Sequence, residues 1–320
     1  MKFLFKCIFL LTIAGHALAQ NFPNKTIKLI VPFPPGGPGD IVARIINTKL
    51  AANLGQPVVI ENKVGASAIV GADFVAKSPP DGYTLLVANL PVLSINQLEF
   101  KSLPYSAEKD FVPVGMVSVQ PYIIAINNSV GASTLGEFIA LAKKNPGKYN
   151  FGGSSSSIYL ATELFSNRAG IKMTHVPYKG AAPAMNDLMG GHIDLLIGSI
   201  SSMGPVINSG KVKALALTLP TRSEAAKTIP NYVEGGLKDM NMTSWVVLMA
   251  PAGTPQAVID VLNAAINKTV ESPDVVKSLL QDGVNPMTGT PAMAGSFIKK
   301  ETETWANIAK QVNMLPGSFN

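Results

Sequence analysis

Cysteine occurs once in the 320 residues, as Cys7. It lies in an opening segment that runs Met1-Lys2-Phe3-Leu4-Phe5-Lys6, then an apolar run from Cys7 to Ile13, then Ala17-Leu18-Ala19. A basic start, a short apolar run and a small-x-small end are the pattern of a cleavable secretory leader. Cleavage is expected after Ala19, leaving a mature chain that begins near Gln20. The run is too short to span a bilayer as an anchor. Loss of the leader removes the one thiol, which excludes a disulfide framework and a cysteine nucleophile. Histidine is almost as scarce. His16 leaves with the leader, and His175 and His192 are too few for a histidine-rich metal site. The arginines are Arg44, Arg168 and Arg222, scattered along the chain, so there is no basic footprint for nucleic acid. The formal charge of +6 falls to +4, because Lys2 and Lys6 leave and no acid does. That mild balance suits an exported protein that meets small anions. No later segment is long and apolar enough to cross a membrane as a helix, and none is of low complexity.

What is present is organised around one stretch. Ile27-Lys28-Leu29-Ile30-Val31 is a short β-branched run that reads as a buried strand. Pro32-Phe33-Pro34-Pro35-Gly36-Gly37-Pro38-Gly39 stops it, and Asp40 opens a helix whose Ile41, Val42, Ile45 and Ile46 share one face. Such a helix start presents unpaired N–H groups and a partial positive charge, which suit an anion. The loop has neither the spacing of a dinucleotide fingerprint nor the Gly-Lys-Ser/Thr ending of a phosphate loop. A small carboxylate fits it better than a nucleotide. The alternative is a tight strand-to-helix connection with no ligand.

The remaining chain alternates in the same way. Pro57 to Asn62 reads as a strand, Gly65 to Ala76 as a closely packed helix, and Tyr83 to Ala88 as a third strand with Asn89 to Ser94 as its outgoing loop. Alternation implies a parallel sheet with helices on both faces and ligands beyond the carboxyl ends of the strands. Asp110 to Ile126 is a long apolar stretch with a break at Gln120-Pro121, placed to pass from one domain to the next. A second series follows. Its strand Tyr149-Asn150-Phe151 leads through Gly152-Gly153-Ser154-Ser155-Ser156-Ser157 to a helix, repeating the opening motif with hydroxyls added. Lys211 to Thr218 and Ser244 to Pro251 read as strands returning to the first sheet, and helices over Pro255–Val270 and Ala292–Lys310 close the chain. About 300 mature residues exceed one comfortable core and imply two domains.

Taken together the pieces resemble the Bug family, the periplasmic solute receptors of tripartite tricarboxylate transporters. The markers are Val31 to Gly37 with Asp40 and Arg44; Val59-Ile60-Glu61-Asn62 with Gly65-Ala66; Pro80 to Leu85; Asp110 to Val114; His175 to Gly180; Pro251 to Pro255; and Trp305. Their order and spacing cover nearly the whole mature chain. The resemblance implies a type II periplasmic-binding-protein fold, two α/β domains with a central cleft and two hinge crossings, near Val119–Tyr122 and Thr218–Pro220. Domain 1 is expected over 20–120 and 221–320, and domain 2 over 121–220. It implies a monomeric receptor in the periplasm, not an enzyme, without cofactor or metal. Its partners would be a small carboxylate and the membrane subunits of the transporter, or a sensor. The ligand-binding residues it implies are Phe33, Gly36, Gly37 and Asp40 of the first loop, with Pro35 between them, and Gly153, Ser154, Ser155, Ser156 and Ser157 of the second. Two departures stand out. The family's glycine-richer second loop is here Gly-Gly-Ser-Ser-Ser-Ser, and its Gly-Ala-Gly-Gly stretch is Gly65-Ala66-Ser67-Ala68.

Other residues are read from position. Asn89 follows a strand end and joins the candidate ligand contacts. Tyr178 and Lys179 do the same after the His175 strand, and Asp194, which opens a strand, is included with a structural role as its alternative. His175 and Trp245 are expected to pack, and Arg44 to pair with an acid. An exported enzyme on the same fold is the competing function. Against it, the Ser154–Ser157 loop lacks the strained Gly-x-Ser-x-Gly elbow of a serine hydrolase.

Overall fold

A computed structural model of the chain describes residues 22–223 and 226–314. The expected leader, 1–19, lies outside the described residues. The strands are β1 (Ile27–Val31), β2 (Val58–Asn62), β3 (Thr84–Asn89), β4 (Phe111–Asn127), β5 (Asn150–Gly153), β6 (Thr174–Pro177), β7 (Leu195–Ser199), β8 (Val212–Leu217), β9 (Thr243–Pro251) and β10 (Asn285–Pro286). They follow the order β2-β1-β3-β9-β4-β7-β5-β6, with β8 and β10 also paired to β4. β1, β2 and β3 are parallel, as are β5, β6 and β7. The purely parallel sheet expected from the alternation is corrected here, because β9 enters antiparallel to both β3 and β4.

β4 joins the two halves. Its first part, Phe111–Pro121, pairs with β9, and its last part, Tyr122–Asn127, pairs with β7 and β8. The break expected at Gln120-Pro121 is absent, since the strand runs through it. Pro121 lacks an N–H, but it falls where β4 leaves one set of partners for the next, so no ladder is spoiled. The chain's return crossing is fastened to the same point. Thr218 donates its hydroxyl to the Met242 carbonyl at 2.6 Å and accepts from the Tyr122 N–H at 2.9 Å. The Thr218 N–H donates to the Tyr122 carbonyl at 3.0 Å, and the Met242 N–H donates to Thr218 at 3.0 Å. The result is the two-domain binding-protein fold with its crossings side by side.

Ten α-helices cover the sheet among the described residues: α1 (Pro38–Leu54), α2 (Ile69–Ala76), α3 (Asn96–Glu99), α4 (Leu135–Lys144), α5 (Ser156–Ala169), α6 (Ala181–Gly190), α7 (Ile200–Asn208), α8 (Gln256–Val270), α9 (Pro273–Gln281) and α10 (Pro291–Gln311). One core, with Leu29, Val42, Ile46, Val87 and Leu262, lies under α1 and α8. The other runs from Leu86 and Trp245 through Ile123 to Phe138 and Phe165, so it is continuous across the halves. Burying such side chains is the main source of stability, at roughly 1.5–3 kcal/mol each. α2 starts later than its sequence suggests. Ala66, Ser67 and Ala68 have φ of +45°, +52° and +73°, which leaves Gly65–Ala68 as a left-handed loop. The outgoing loop expected after β3 is instead wound, as a turn of π-helix over Pro91–Ile95 followed by α3.

Candidate functional site

The first loop is built by its own prolines and glycines. The Gly37 N–H donates to the Pro34 carbonyl at 3.3 Å, and Gly36 between them has φ +82°. Pro35 then Gly36 is the pairing a type II turn demands, because only glycine accepts the positive φ without strain. α1 begins at once, with Ile41 donating to the Gly37 carbonyl at 3.0 Å. The N–H groups of Gly39 and Asp40 precede that first intrahelical bond and lie at the positive end of a 17-residue helix. α2 props the loop from behind. A Cβ on Gly71 would come within 2.7 Å of Pro32 and 2.8 Å of the Lys63 carbonyl, so only glycine permits that approach.

Asp40 is the loop's internal anchor. Its carboxylate, 1 % exposed, accepts from the Gly36 N–H at 2.9 Å, from Asn62 Nδ2 at 2.9 Å, and from Arg44 Nε and Nη2 at 2.8 and 3.0 Å. Burial pushes the carboxyl up, but the bonds from Arg44, Asn62 and Gly36 outweigh it and hold the carboxyl below its ordinary range. Asn62 also donates to the Phe33 carbonyl at 3.0 Å, which ties the carboxyl end of β2 to the loop. Arg44 thus pairs with an acid, as its position suggests, and Asp40 spends both oxygens inside the protein.

The floor behind this loop carries buried polar atoms. Asn89 and Ser118 both register with Val246, and Gln120 registers with Ser244, so these side chains share one face of the sheet. That is the face Gly39 meets, its Cβ position lying 3.8 Å from Val87, two residues before Asn89. Asn89 Oδ1, Ser118 Oγ and Gln120 Nε2 are buried without a hydrogen-bond partner among the described residues. Gln120 Oε1 accepts from the Ser201 N–H at 3.3 Å, which places its amide at the start of α7. Ser199 and Ser202 share a hydroxyl bond of 2.8 Å there. Orphaned polar atoms are costly in a dry interior and are expected where a ligand or water completes them. Among these floor residues, only Asn89 was a candidate from sequence. Gln120 read merely as a break beside a proline.

The second loop is placed as the motif suggests, at the carboxyl end of β5. Ser155 caps α5 by accepting from the Ile158 N–H at 3.4 Å, and its hydroxyl lies 3.0 Å from that of Ser157. Burial pushes the hydroxyl of Tyr122 up to about 12, with the side chains of Ser157 and Ser244 opposing the rise. Ser156 donates to Glu99 of α3, on the segment that follows β3. Gly153 is required by His175, whose ring would collide with any Cβ there. His175 stacks on Phe151 at 5.2 Å and lies tilted against Tyr159 at 4.8 Å, so it packs as expected.

The structure brings Phe33, Pro35, Gly36, Gly37, Asp40 and Asn89 to one strand-end cluster, and Gly153 to Ser157 to a second. Ser156 joins that second cluster to the β3 segment through Glu99. Tyr178 lies beside the second cluster, its N–H donating to the Gly153 carbonyl at 2.8 Å, but its hydroxyl is engaged by Asp187 at 2.6 Å. Burial and that carboxylate push Tyr178 up to about 12. Lys179 next to it is exposed. Asp194 is set apart. It accepts from the Asn150 N–H at 2.8 Å, at the amino ends of β5 and β7, the far edge from the loops. A strand-opening aspartate of a parallel sheet cannot reach the carboxyl edge, and here it straps two strands together. A groove of about 470 Å³ lies between α7 and Gln281–Gly283, sharing Ser201 with the floor, and none of the sequence-predicted residues line it.

Residues 42–314 match the family described as tripartite tricarboxylate transporter family receptor. The chain belongs to that family of Bug-type periplasmic solute receptors. It is 36% identical to BugT of Bordetella pertussis over 302 residues, covering 93% of each chain. Among solved structures it resembles R. palustris Rpa4515 with adipate at 31% identity and a TM-score of 0.88, covering 92% of this chain and 99% of the other. It also resembles MatC (Rpa3494) of Rhodopseudomonas palustris with bound malate, at 31% identity and a TM-score of 0.81, covering 90% and 99%. Among the described residues no helix is long and apolar enough to cross a membrane.

Proposed function

We propose that this chain is a periplasmic receptor that holds a small carboxylate between its two domains and delivers it to a membrane transporter. The observation that carries the reading is the convergence of the α1 start with three orphaned polar atoms, Asn89 Oδ1, Ser118 Oγ and Gln120 Nε2. Helix-start N–H groups supply the charge preference, and the floor supplies directional partners. Two relatives whose structures contain adipate and malate support the ligand class. We take the domains to be 20–120 with 221–320, and 121–220; the bonds that tie Tyr122, Thr218 and Met242 together support crossings there, where a small rotation would close one half on the other.

Calorimetric titration with a panel of mono-, di- and hydroxycarboxylates tests this. The panel is run on the wild type and on Gly37→Val. A Cβ at Gly37 would lie 3.3 Å from the Pro34 carbonyl, so valine crowds the turn that presents the α1 start. At least one acid should bind the wild type, and Gly37→Val should bind it about tenfold or more weakly, the loss of one charge-assisted hydrogen bond. Circular dichroism should be unchanged. Equal binding by the variant would remove the first loop from the site.

A further inference from the structure

Glu99 is a buried carboxylate that no ion pair accounts for among the described residues. It is 2 % exposed, at the end of the short helix α3. One oxygen accepts from the Ser156 hydroxyl, at the first residue of the 14-residue helix α5. The other, Oε1, is buried with no partner among the described residues. Burial raises its pKa and only the Ser156 bond opposes that, so no neighbouring cation compensates the charge. Acids are almost never this buried without being paired. A purely structural role would leave the second oxygen wasted.

Its place in the fold supplies a use. Ser156 belongs to the second loop, whose helix start would otherwise be a seat for an anion. Glu99 fills that seat with a carboxylate of the protein's own. The two ends of the candidate site therefore differ in character. The first end offers donors, from the α1 start and Gln120 Nε2, beside the neutral amide oxygen of Asn89, while the second loop offers an orphaned carboxylate oxygen. A second anion arriving beside the ionised form of Glu99 would face a like charge in a poorly solvated place, where such repulsion is strong. A group that carries protons and positive charge would satisfy Oε1.

We propose that Glu99 sets the charge class of the ligand, admitting at the second loop an ammonium or other proton-donating group and rejecting a second carboxylate. This inference rests on the carboxylate-receptor reading above and deepens it. The preferred ligand carries one carboxylate for the α1 start and one donor for Glu99.

The test uses pairs matched in length, in which one carboxylate is replaced by an ammonium: succinate with 3-aminopropanoate, glutarate with 4-aminobutanoate, and adipate with 5-aminopentanoate. Each is titrated calorimetrically into the purified protein and into Glu99→Gln. In the wild type the amino member of the best-fitting pair should bind about tenfold or more tightly than the dicarboxylate, the scale of one charge-assisted hydrogen bond. In Glu99→Gln the two should come within about threefold, chiefly because the dicarboxylate gains. Wild-type preference for the dicarboxylate, or an unchanged ratio in Glu99→Gln, overturns the role of Glu99 and leaves the receptor reading standing. No binding by any member, while another acid of the wider carboxylate panel binds, also overturns the role of Glu99, and no binding by any acid of either panel overturns the receptor reading itself.

Discussion

Asp40→Asn tests how the first loop is held. In the native protein Asp40 accepts from the Gly36 N–H, from Asn62 and twice from Arg44, with its side chain 2 % exposed. Arg44 is 56 % exposed, so water screens its attraction and it adds little to stability. The weight falls on the buried bonds from Gly36 and Asn62. Asparagine keeps one acceptor oxygen, but turns an NH2 group toward donors at the other position. Losing one charge-assisted bond with its donor left buried costs about 1.5–3 kcal/mol. Urea unfolding at neutral pH should therefore show a lower midpoint with an unchanged slope. The effect has a pH signature. The carboxyl is held below its ordinary value of 3.8, so its contribution is present above that pH and is lost as pH falls through the depressed value. The gap between wild type and Asp40→Asn should close in acid. A gap under about 0.5 kcal/mol at neutral pH, within the range of an indifferent surface change, would refute the anchoring role. So would a gap that does not shrink in acid.

Other perturbations separate loop, hinge and buried acid. Thr218→Val removes the hydroxyl that Tyr122 and Met242 share, and should lower unfolding stability by about 1–3 kcal/mol, read from urea midpoints. Gly36→Ala meets no atom within 4 Å but must hold φ +82°, so it should cost only about 1–2 kcal/mol of backbone strain and leave circular dichroism unchanged. Glu99→Gln should raise thermal stability at pH 8. The Glu99 carboxyl is raised above 4.5, so its favourable neutral form is lost as pH rises through the raised value, and the advantage of glutamine should vanish below pH 4.5. Equal melting curves at pH 8 would show that Glu99 is compensated after all.

The sequence made the first loop legible because its signal is local. A β-branched run, Pro35-Gly36 and an apolar helical stripe each act within a few residues, and β1, the turn and α1 follow from them. The second loop was legible for the same reason. What escaped depends on contacts far apart in the chain. Gln120 becomes a floor residue only because β4 passes unbroken through Pro121 and meets α7, 81 residues on. Glu99 carries no signal of its own in the sequence, and its bond partner lies 57 residues later. The helix α9 is absent from the sequence reading although Pro273 and Gly283 bracket it, because its 9 residues are short beside the 15 and 21 of its neighbours. The left-handed Gly65–Ala68 loop contradicts the residues that form it, since alanine and serine resist positive φ. Asp194 was drawn into the candidate set by its strand, and the register shows that it belongs to the strand's other end.

The central claim is that a ligand carboxylate meets the start of α1. The direct measurement is a crystal structure of the protein with the tightest-binding acid of the panel. The account predicts a carboxylate oxygen within about 3.2 Å of the Gly39 or Asp40 N–H, with the rest of the ligand over Asn89, Ser118 and Gln120. A ligand seated instead in the groove between Ile200 and Gly283, with the first loop empty, would contradict it.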